Sequence, residues 1–195
     1  MIISNTHQHT KTNNFRVLLV YPNIQKCSMM PYSIGLFTAL LKQEGYQVDL
    51  FDSTFYMNDL TANYENYQTA VKRFDWAERG IEFKTINMME DFRKKVETFQ
   101  PDLITVSVVE NTYPIGRAMI RSLSPKLRKI PVLWGGVFAT FAPKIILKDD
   151  VGDYVCRGEG EYALLEFCRR ACSGEDLHTV PNLWSKRDGQ IIKNQ

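Results

Sequence analysis

A doubly wound α/β domain, with five parallel strands in the order 2-1-3-4-5 and helices on both faces, is the fold this sequence predicts. Three observations carry the prediction. Short apolar runs that read as fully buried strands recur along the chain, and helical patterns alternate with them. A strand, a helix and a further strand in that order make a right-handed crossover to a parallel neighbour. Turn residues such as Pro22, Asn23, Gly45, Gly135 and Gly136 fall where one pattern gives way to the next.

The elements follow in order. After a polar leader over residues 1–14, "RVLLVYPN" is the first strand, ended by Pro22 and Asn23. "SIGLFTALLKQEG" places Ile34, Phe37, Leu40 and Leu41 at helical spacing and stops at Gly45, a glycine suited to the position after a helix end. "YQVDLFD" is the second strand. Residues 53–89, rich in Tyr, Phe, Asn and Met, carry only weak helical periodicity and predict a helical insertion over one end of the sheet. The alternation resumes with helix "EDFRKKVETFQ", strand "DLITVSVV", helix "YPIGRAMIRSLSPKLRK", strand "PVLWGG", a short helix after Ala142, strand "DYVCRG" and helix "EYALLEFCRRAC". In "VPNLWSKRDGQIIKNQ" two short strands flank the turn "RDG", and no helix follows them. The domain is therefore expected over 15–172, with a linker hairpin over 173–195.

A chain of 195 residues is long enough to bury one real core. Its 24 basic and 22 acidic residues nearly balance, so nothing in the charge asks for nucleic acid or an anionic membrane. The apolar runs fall far short of a membrane span, and the first residues lack the basic and apolar regions of a signal peptide. A cytoplasmic location is the expectation. Four cysteines do not make a disulfide framework, and a reducing compartment suits them. Cys168 and Cys172 share a helix face, but with no further Cys or His at ligand spacing they read as small packing residues. His7, His9 and His178 fall in tail or linker, none placed like a catalytic base.

In a doubly wound sheet the ligand binds beyond the carboxyl ends of the strands. Four loops lie there: "YPNIQKCSMMPYSIG", "SVVENTYPIG", "GGVFATFAP" and "RGEGE". Gly135 and Gly136 either form a tight turn or bare the main chain to a flat or bulky ligand. Gly158 and Gly160 free a second loop, in which Glu159 is a candidate contact and Glu161 a candidate helix cap. Ser107 ends the third strand, where its hydroxyl serves a ligand or its own loop. No GxGxxG follows the first strand and no GxxxxGK[ST] occurs, so dinucleotide and nucleoside triphosphate sites have little support. Tyr21, Pro22 and Asn23 replace the acidic cluster of a phosphorylatable receiver, and the first loop makes a poor flavin phosphate site. The set suits a large neutral ligand better than a phosphate.

These pieces resemble the cobalamin-binding domain at the N-terminus of many radical SAM enzymes. The resemblance rests on "PYSIGLFTALLKQEGYQVDLFD", "PDLITVSVV", "PVLWGGVFATFAP" and "DYVCRGEGEYALLEF", in family order over most of residues 15–172. The double glycine followed at the right distance by "GEGE" is its most specific part. The resemblance implies a Rossmann-like, flavodoxin-like sheet that holds the nucleotide tail of cobalamin at its edge. It places that tail against Gly135 and Gly136, with Val137 beside them. It also matches Ser107 to the serine that hydrogen-bonds the dimethylbenzimidazole end, followed by Val108, Val109 and Glu110. Tyr32, Ser33 and Gly35 at the first helix, and Gly158 with Glu159, would border the same cleft.

Two departures from the family pattern shape the expectation. Cobalamin domains of the methionine synthase and mutase type carry Asp-x-His-x-x-Gly, and aligning on Gly35 puts Met30 and Tyr32 at the Asp and His positions. The lower cobalt ligand is thus missing. This implies cobalamin bound with its own base displaced and no protein imidazole on cobalt, with Tyr32 either covering the lower face or packing. The Cys-x-x-x-Cys-x-x-Cys of the iron–sulfur cluster is also missing. The expectation is a binding domain that presents the corrin to a radical SAM catalytic domain in cis. In the full enzyme that domain would carry a [4Fe-4S] cluster and S-adenosylmethionine, for methyl transfer or a related radical step. A stand-alone cobalamin carrier and a cofactor-free interaction or regulatory module are the alternatives at this point. An autonomous enzyme is weakest, since no nucleophile, base and orienting group converge.

Overall fold

The computed structural model describes residues 14–24, 31–56 and 77–194. The strands are β1 (Arg16–Tyr21), β2 (Gln47–Asp52), β3 (Leu103–Ser107), β4 (Val132–Gly135), β5 (Tyr154–Cys156), β6 (Leu183–Arg187) and β7 (Gln190–Lys193). The helices are α1 (Tyr32–Gln43), α2 (Met88–Phe99), α3 (Tyr113–Arg121), α4 (Val137–Phe141), α5 (Pro143–Lys148) and α6 (Glu161–Ser173). One sheet takes the order β2-β1-β3-β4-β5-β6-β7, its first five strands parallel as expected. The hairpin at the end of the chain extends that same sheet, with β6 antiparallel to β5 and β7 antiparallel to β6.

The central strands are apolar throughout because both of their faces are covered. Along β1, Leu18 and Val20 enter the core beneath α2 to α5, while Val17 and Leu19 enter the core beneath α1 and α6. The alternation is the strand's own two-residue period. On the first face Phe92 and Val96 of α2, Met119 and Ile120 of α3 and Ile146 of α5 share one core with Trp134 of β4, Phe92 lying edge-on to Phe51 of β2. Trp134 is fully buried, and its indole donates to the Val151 carbonyl at 2.9 Å, so its polar edge is satisfied inside the core. On the second face Ile34 and Leu41 of α1 meet Ala163, Leu164 and Phe167 of α6. Each fully buried side chain of this size contributes about 1.5–3 kcal/mol of transfer free energy.

Local signals set the helix ends. Beyond α1, Gly45 has φ 82°, its N–H bonds the Lys42 carbonyl and the Tyr46 N–H bonds that of Leu41. This is the Schellman arrangement that the glycine at 45 announced. Asn87 caps α2, its side chain accepting from Met89 and Glu90. The helix expected over 113–129 stops at Arg121, and a 3₁₀ turn at Leu127–Lys129 follows; Pro125 between them has no N–H to carry a helix through. The short helix after Ala142 is α5, and α4 precedes it unannounced. Residues 57–76 of the expected insertion lie outside the described residues, as do residues 1–13 of the leader. What is described between β2 and α2 holds a 3₁₀ turn at Ala77–Arg79 and a single bridge from Tyr56 to Lys84.

Candidate functional site

At the carboxyl ends of β3, β4 and β5, between α1 and α6, the sheet opens into a cleft with about 500 Å³ of free space, mouth included. Its floor and walls are mostly apolar, from Ile34 and Phe37 of α1, Leu133 of β4 and Leu164 of α6. Ser107, Gly135, Gly136 and Gly158, all singled out in the sequence, come together here. Ser107 and Gly135 are direct partners in the β3–β4 ladder, so hydroxyl and glycine arrive side by side.

The two glycines of the doublet have different reasons to be glycine. A Cβ built on Gly135 would meet nothing within 4 Å and would project into open space, so the missing side chain leaves the main chain bare. Gly136 has φ 89°, and a Cβ there would lie 2.6 Å from the Val108 carbonyl oxygen. That glycine is demanded by the turn itself. The Val108 N–H donates to the Gly135 carbonyl at 3.0 Å, and the Phe138 N–H donates to the Val108 carbonyl at 3.2 Å, which locks β3's exit against the start of α4.

The double-glycine loop and the "RGEGE" loop are tied together by Thr140 of α4. Its hydroxyl donates to the Gly136 carbonyl at 3.1 Å and accepts from the Gly158 N–H at 3.1 Å, while its carbonyl accepts from Arg157 Nε at 3.2 Å. Arg157 also lies over the ring of Trp184 in β6, as does Lys193 of β7. At Gly160 the backbone is ordinary helical, φ −99° and ψ −12°, so any residue fits it by conformation. Space explains the glycine there: a Cβ would stand 3.1 Å from the tip of the Phe37 ring. Glu161 opens α6 without a side-chain capping bond and acts only as a charge in its first turn.

The remaining sequence candidates surround the cleft without lining it. Tyr32 is 84 % exposed at the start of α1, so it does not pack there, and Gly35 is exposed while Ser33 is partly covered. Val109, Glu110, Val137 and Glu159 are exposed at the same end of the sheet, and Val108 is buried in the core beneath α2 to α5. Met30 lies outside the described residues. The cleft residues that the sequence did not mark as ligand contacts are Ile34, Phe37, Thr105, Val106, Leu133, Cys156 and Leu164, together with Gly160, which it marked only as freeing the loop. Thr105 was within reach, two positions before Ser107 on one strand and therefore on the same face.

The polar groups of the cleft are few. Neither the Thr105 nor the Ser107 hydroxyl has a hydrogen-bond partner among the described residues. The Cys156 thiol is buried and reaches towards the Glu159 carbonyl at 3.7 Å; burial, with Glu161 and Glu159 nearby, pushes its pKa up to about 11. It is a neutral thiol at pH 7. His178 is engaged elsewhere, its Nδ1 2.8 Å from the buried Ser185 hydroxyl. Cys168 is buried in α6 and Cys172 is exposed, so only the first of that pair packs the core.

A family model described as the B12 binding domain matches residues 28–167. The chain belongs to the B12-binding domains. Solved structures share the fold of this B12-binding domain. The radical S-adenosylmethionine methyltransferase TsrM from Kitasatospora setae is 24% identical with a TM-score of 0.64, over 92% of this chain and 30% of its own. The cobalamin-dependent S-adenosylmethionine radical enzyme OxsB, solved with aqua-cobalamin and S-adenosylmethionine, is 17% identical with a TM-score of 0.66, over 94% of this chain and 22% of its own. An anaerobic magnesium-protoporphyrin IX monomethyl ester cyclase from Synechocystis sp. is 30% identical over 92 residues, 47% of this chain and 18% of that protein. The B12-binding domain thus spans less than a third of each of these proteins. Its cleft fits such a ligand: an apolar slot, a bare stretch of main chain at Gly135 and two free hydroxyls on one strand face. Among the described residues no helix is long and apolar enough to cross a membrane.

Proposed function

We propose that this domain binds cobalamin with the nucleotide tail in the β3–β5 cleft and the corrin over the carboxyl ends of the strands, where it faces a radical SAM catalytic domain. The observation that carries the reading is the open space in front of Gly135, beside the unpartnered hydroxyl of Ser107. A ligand can lie on the main chain at the first and be held by the second. Gly136 shapes the turn, and Thr140 holds Gly158 close to it, so the cleft is formed before the ligand arrives.

Tyr32 stands at the position where related domains carry a histidine, and its exposed phenol is free to cover the lower face of the corrin. The tail in the cleft implies a base displaced from cobalt, and tyrosine at position 32 implies no protein imidazole in its place. Val109, Glu110, Val137 and Glu159 form the rim on which the macrocycle rests, with Ser33 and Gly35 flanking it at α1. When bound, the cobalt centre would supply methyl carriage or electron transfer, and the protein's part is binding, orientation and exclusion of water. The whole enzyme would add a [4Fe-4S] cluster and S-adenosylmethionine in its catalytic domain and perform methyl transfer or a related radical step in the cytoplasm. The named partners of the solved relatives support this assignment. Residues 15–172 would form the binding unit, and the hairpin within 173–195, joined to its sheet at β5, would lead towards the catalytic domain.

Titration with hydroxocobalamin and methylcobalamin, followed by desalting and a visible spectrum, tests the reading. Retained corrinoid with a base-displaced spectrum is the expected result. Loss of all corrinoid on desalting, repeated with the longest natural chain that contains these residues, would favour a cofactor-free interaction module.

A further inference from the structure

Thr105 stands out in its surroundings. It lies mid-way along a central strand, in register with Leu19 of β1 and Leu133 of β4, with Leu103 before it on the same face. Valine has the same shape and equal liking for a strand, so the residue differs from the apolar choice only by its hydroxyl. That hydroxyl has no hydrogen-bond partner among the described residues and borders the cleft. A ligand seated over it must either answer it or leave a polar group buried and unpaired.

Along a strand, two residues span about 6.6 Å, roughly the length of a fused bicyclic ring. If Ser107 holds the imidazole nitrogen of the lower base, the far edge of that base comes to rest at Thr105. We infer that Thr105 is a specificity-determining residue for the lower base, selecting a corrinoid whose base carries a hydrogen-bonding group on its deep edge, such as a hydroxybenzimidazole. The inference rests on the reading that the nucleotide tail occupies the cleft. Dimethylbenzimidazole presents only methyl groups at that edge and leaves the hydroxyl unanswered. Around it Phe37, Leu133 and Leu164 offer no alternative polar partner, and the Cys156 thiol is already turned to the Glu159 carbonyl. The missing Cβ of Gly160 leaves room for the tip of the Phe37 ring in the wall of the slot.

The test compares three corrinoids by equilibrium titration: cobalamin, its 5-hydroxybenzimidazole counterpart, and cobinamide, which has no base. The natural protein should bind the hydroxybenzimidazole form about tenfold more tightly than cobalamin. Thr105→Val should abolish that preference, Thr105→Ser should keep it, and neither should alter binding of cobinamide. Equal affinity of the natural protein for both base-bearing forms, or a preference that survives Thr105→Val, overturns the role of Thr105 and leaves the cleft assignment standing. Cobinamide binding as tightly as cobalamin would instead remove the tail from the cleft, and the inference with it.

Discussion

Gly136 stands directly against the main chain of Val108, where a Cβ would come within 2.6 Å of the carbonyl oxygen and 2.9 Å of the nitrogen, while its neighbour Gly135 faces open space. Adjacent and identical, the two glycines therefore fail differently when replaced. Gly136→Ala should cost about 3 kcal/mol of stability through backbone strain and the clash. Gly135→Leu should leave the urea midpoint nearly unchanged yet lower cobalamin affinity at least tenfold, since its side chain would fill the cleft (about 1.4 kcal/mol per decade). Urea denaturation and corrinoid titration of the two variants separate the effects; a Gly135→Leu protein that binds normally would refute the bare-backbone contact.

Thr140 joins the two glycine loops through a single hydroxyl. Thr140→Val removes both bonds and leaves the Gly158 N–H without its partner. The cost to the folded state should be about 1 kcal/mol, because these groups are exposed and water replaces the lost partner. Corrinoid affinity should drop several-fold, with the loss concentrated in a faster dissociation rate on stopped-flow mixing. An unchanged rate would mean that the two loops hold their positions independently.

The thiol of Cys156 lines the cleft and is protonated at neutral pH, its pKa being pushed up to about 11 by burial. Iodoacetamide should label it slowly at pH 7, with the rate climbing as the pH rises towards that value. The solvent-exposed Cys172 should react much sooner. Bound cobalamin should protect Cys156 and leave Cys172 unaffected, as read by mass spectrometry of the separate peptides. Equal labelling of Cys156 with and without saturating corrinoid would place the ligand elsewhere.

Acid should act on α6 through Glu166. Hydrogen bonds from Arg169 and Arg170 hold its carboxyl down at about 2, against an ordinary value near 4.5. A depressed carboxylate stabilises the fold above its unfolded value, and that contribution is lost as the pH falls from 4.5 towards 2. Glu166→Gln should therefore be slightly less stable than the natural protein at pH 7, and the gap should close near pH 2. Because Arg169 is half exposed, added salt should shrink the difference as well. Thermal melts across that pH range, at low and high salt, would show both trends or neither.

The parallel sheet was legible because its strands are buried on both sides and so stand out as apolar runs such as "VLLVY" and "LITVSVV". Gly45 and Gly136 were legible because turn chemistry is local, and Gly135 because it stands beside Gly136 at a strand's end. The cleft walls were not. That Ile34 and Phe37 face α6 depends on how α1 is rotated against the sheet, and Gly160 is glycine on account of a ring over a hundred positions earlier in the chain. Thr105 was hidden by a run in which it looks like any other β-branched residue, although its phase relative to Ser107 was available. The final hairpin was read correctly as a hairpin. Its attachment to β5 was not, since antiparallel pairing onto a parallel sheet is settled by tertiary packing of Leu183 and Ser185 rather than by the turn.

The indole of Trp184 makes the cleft observable from outside it. Arg157, which fastens the "RGEGE" loop to Thr140, and Lys193, on the last strand, both lie over that ring, at 4.7 and 4.9 Å. Emission from an indole responds to cations over its face, whereas Trp134 sits in the core, away from solvent. With both Trp76 and Trp134 replaced by phenylalanine, Trp184 would be the one indole left and would serve as an optical gauge of the cleft loop, responding when a ligand seats against that loop and needing no attached dye.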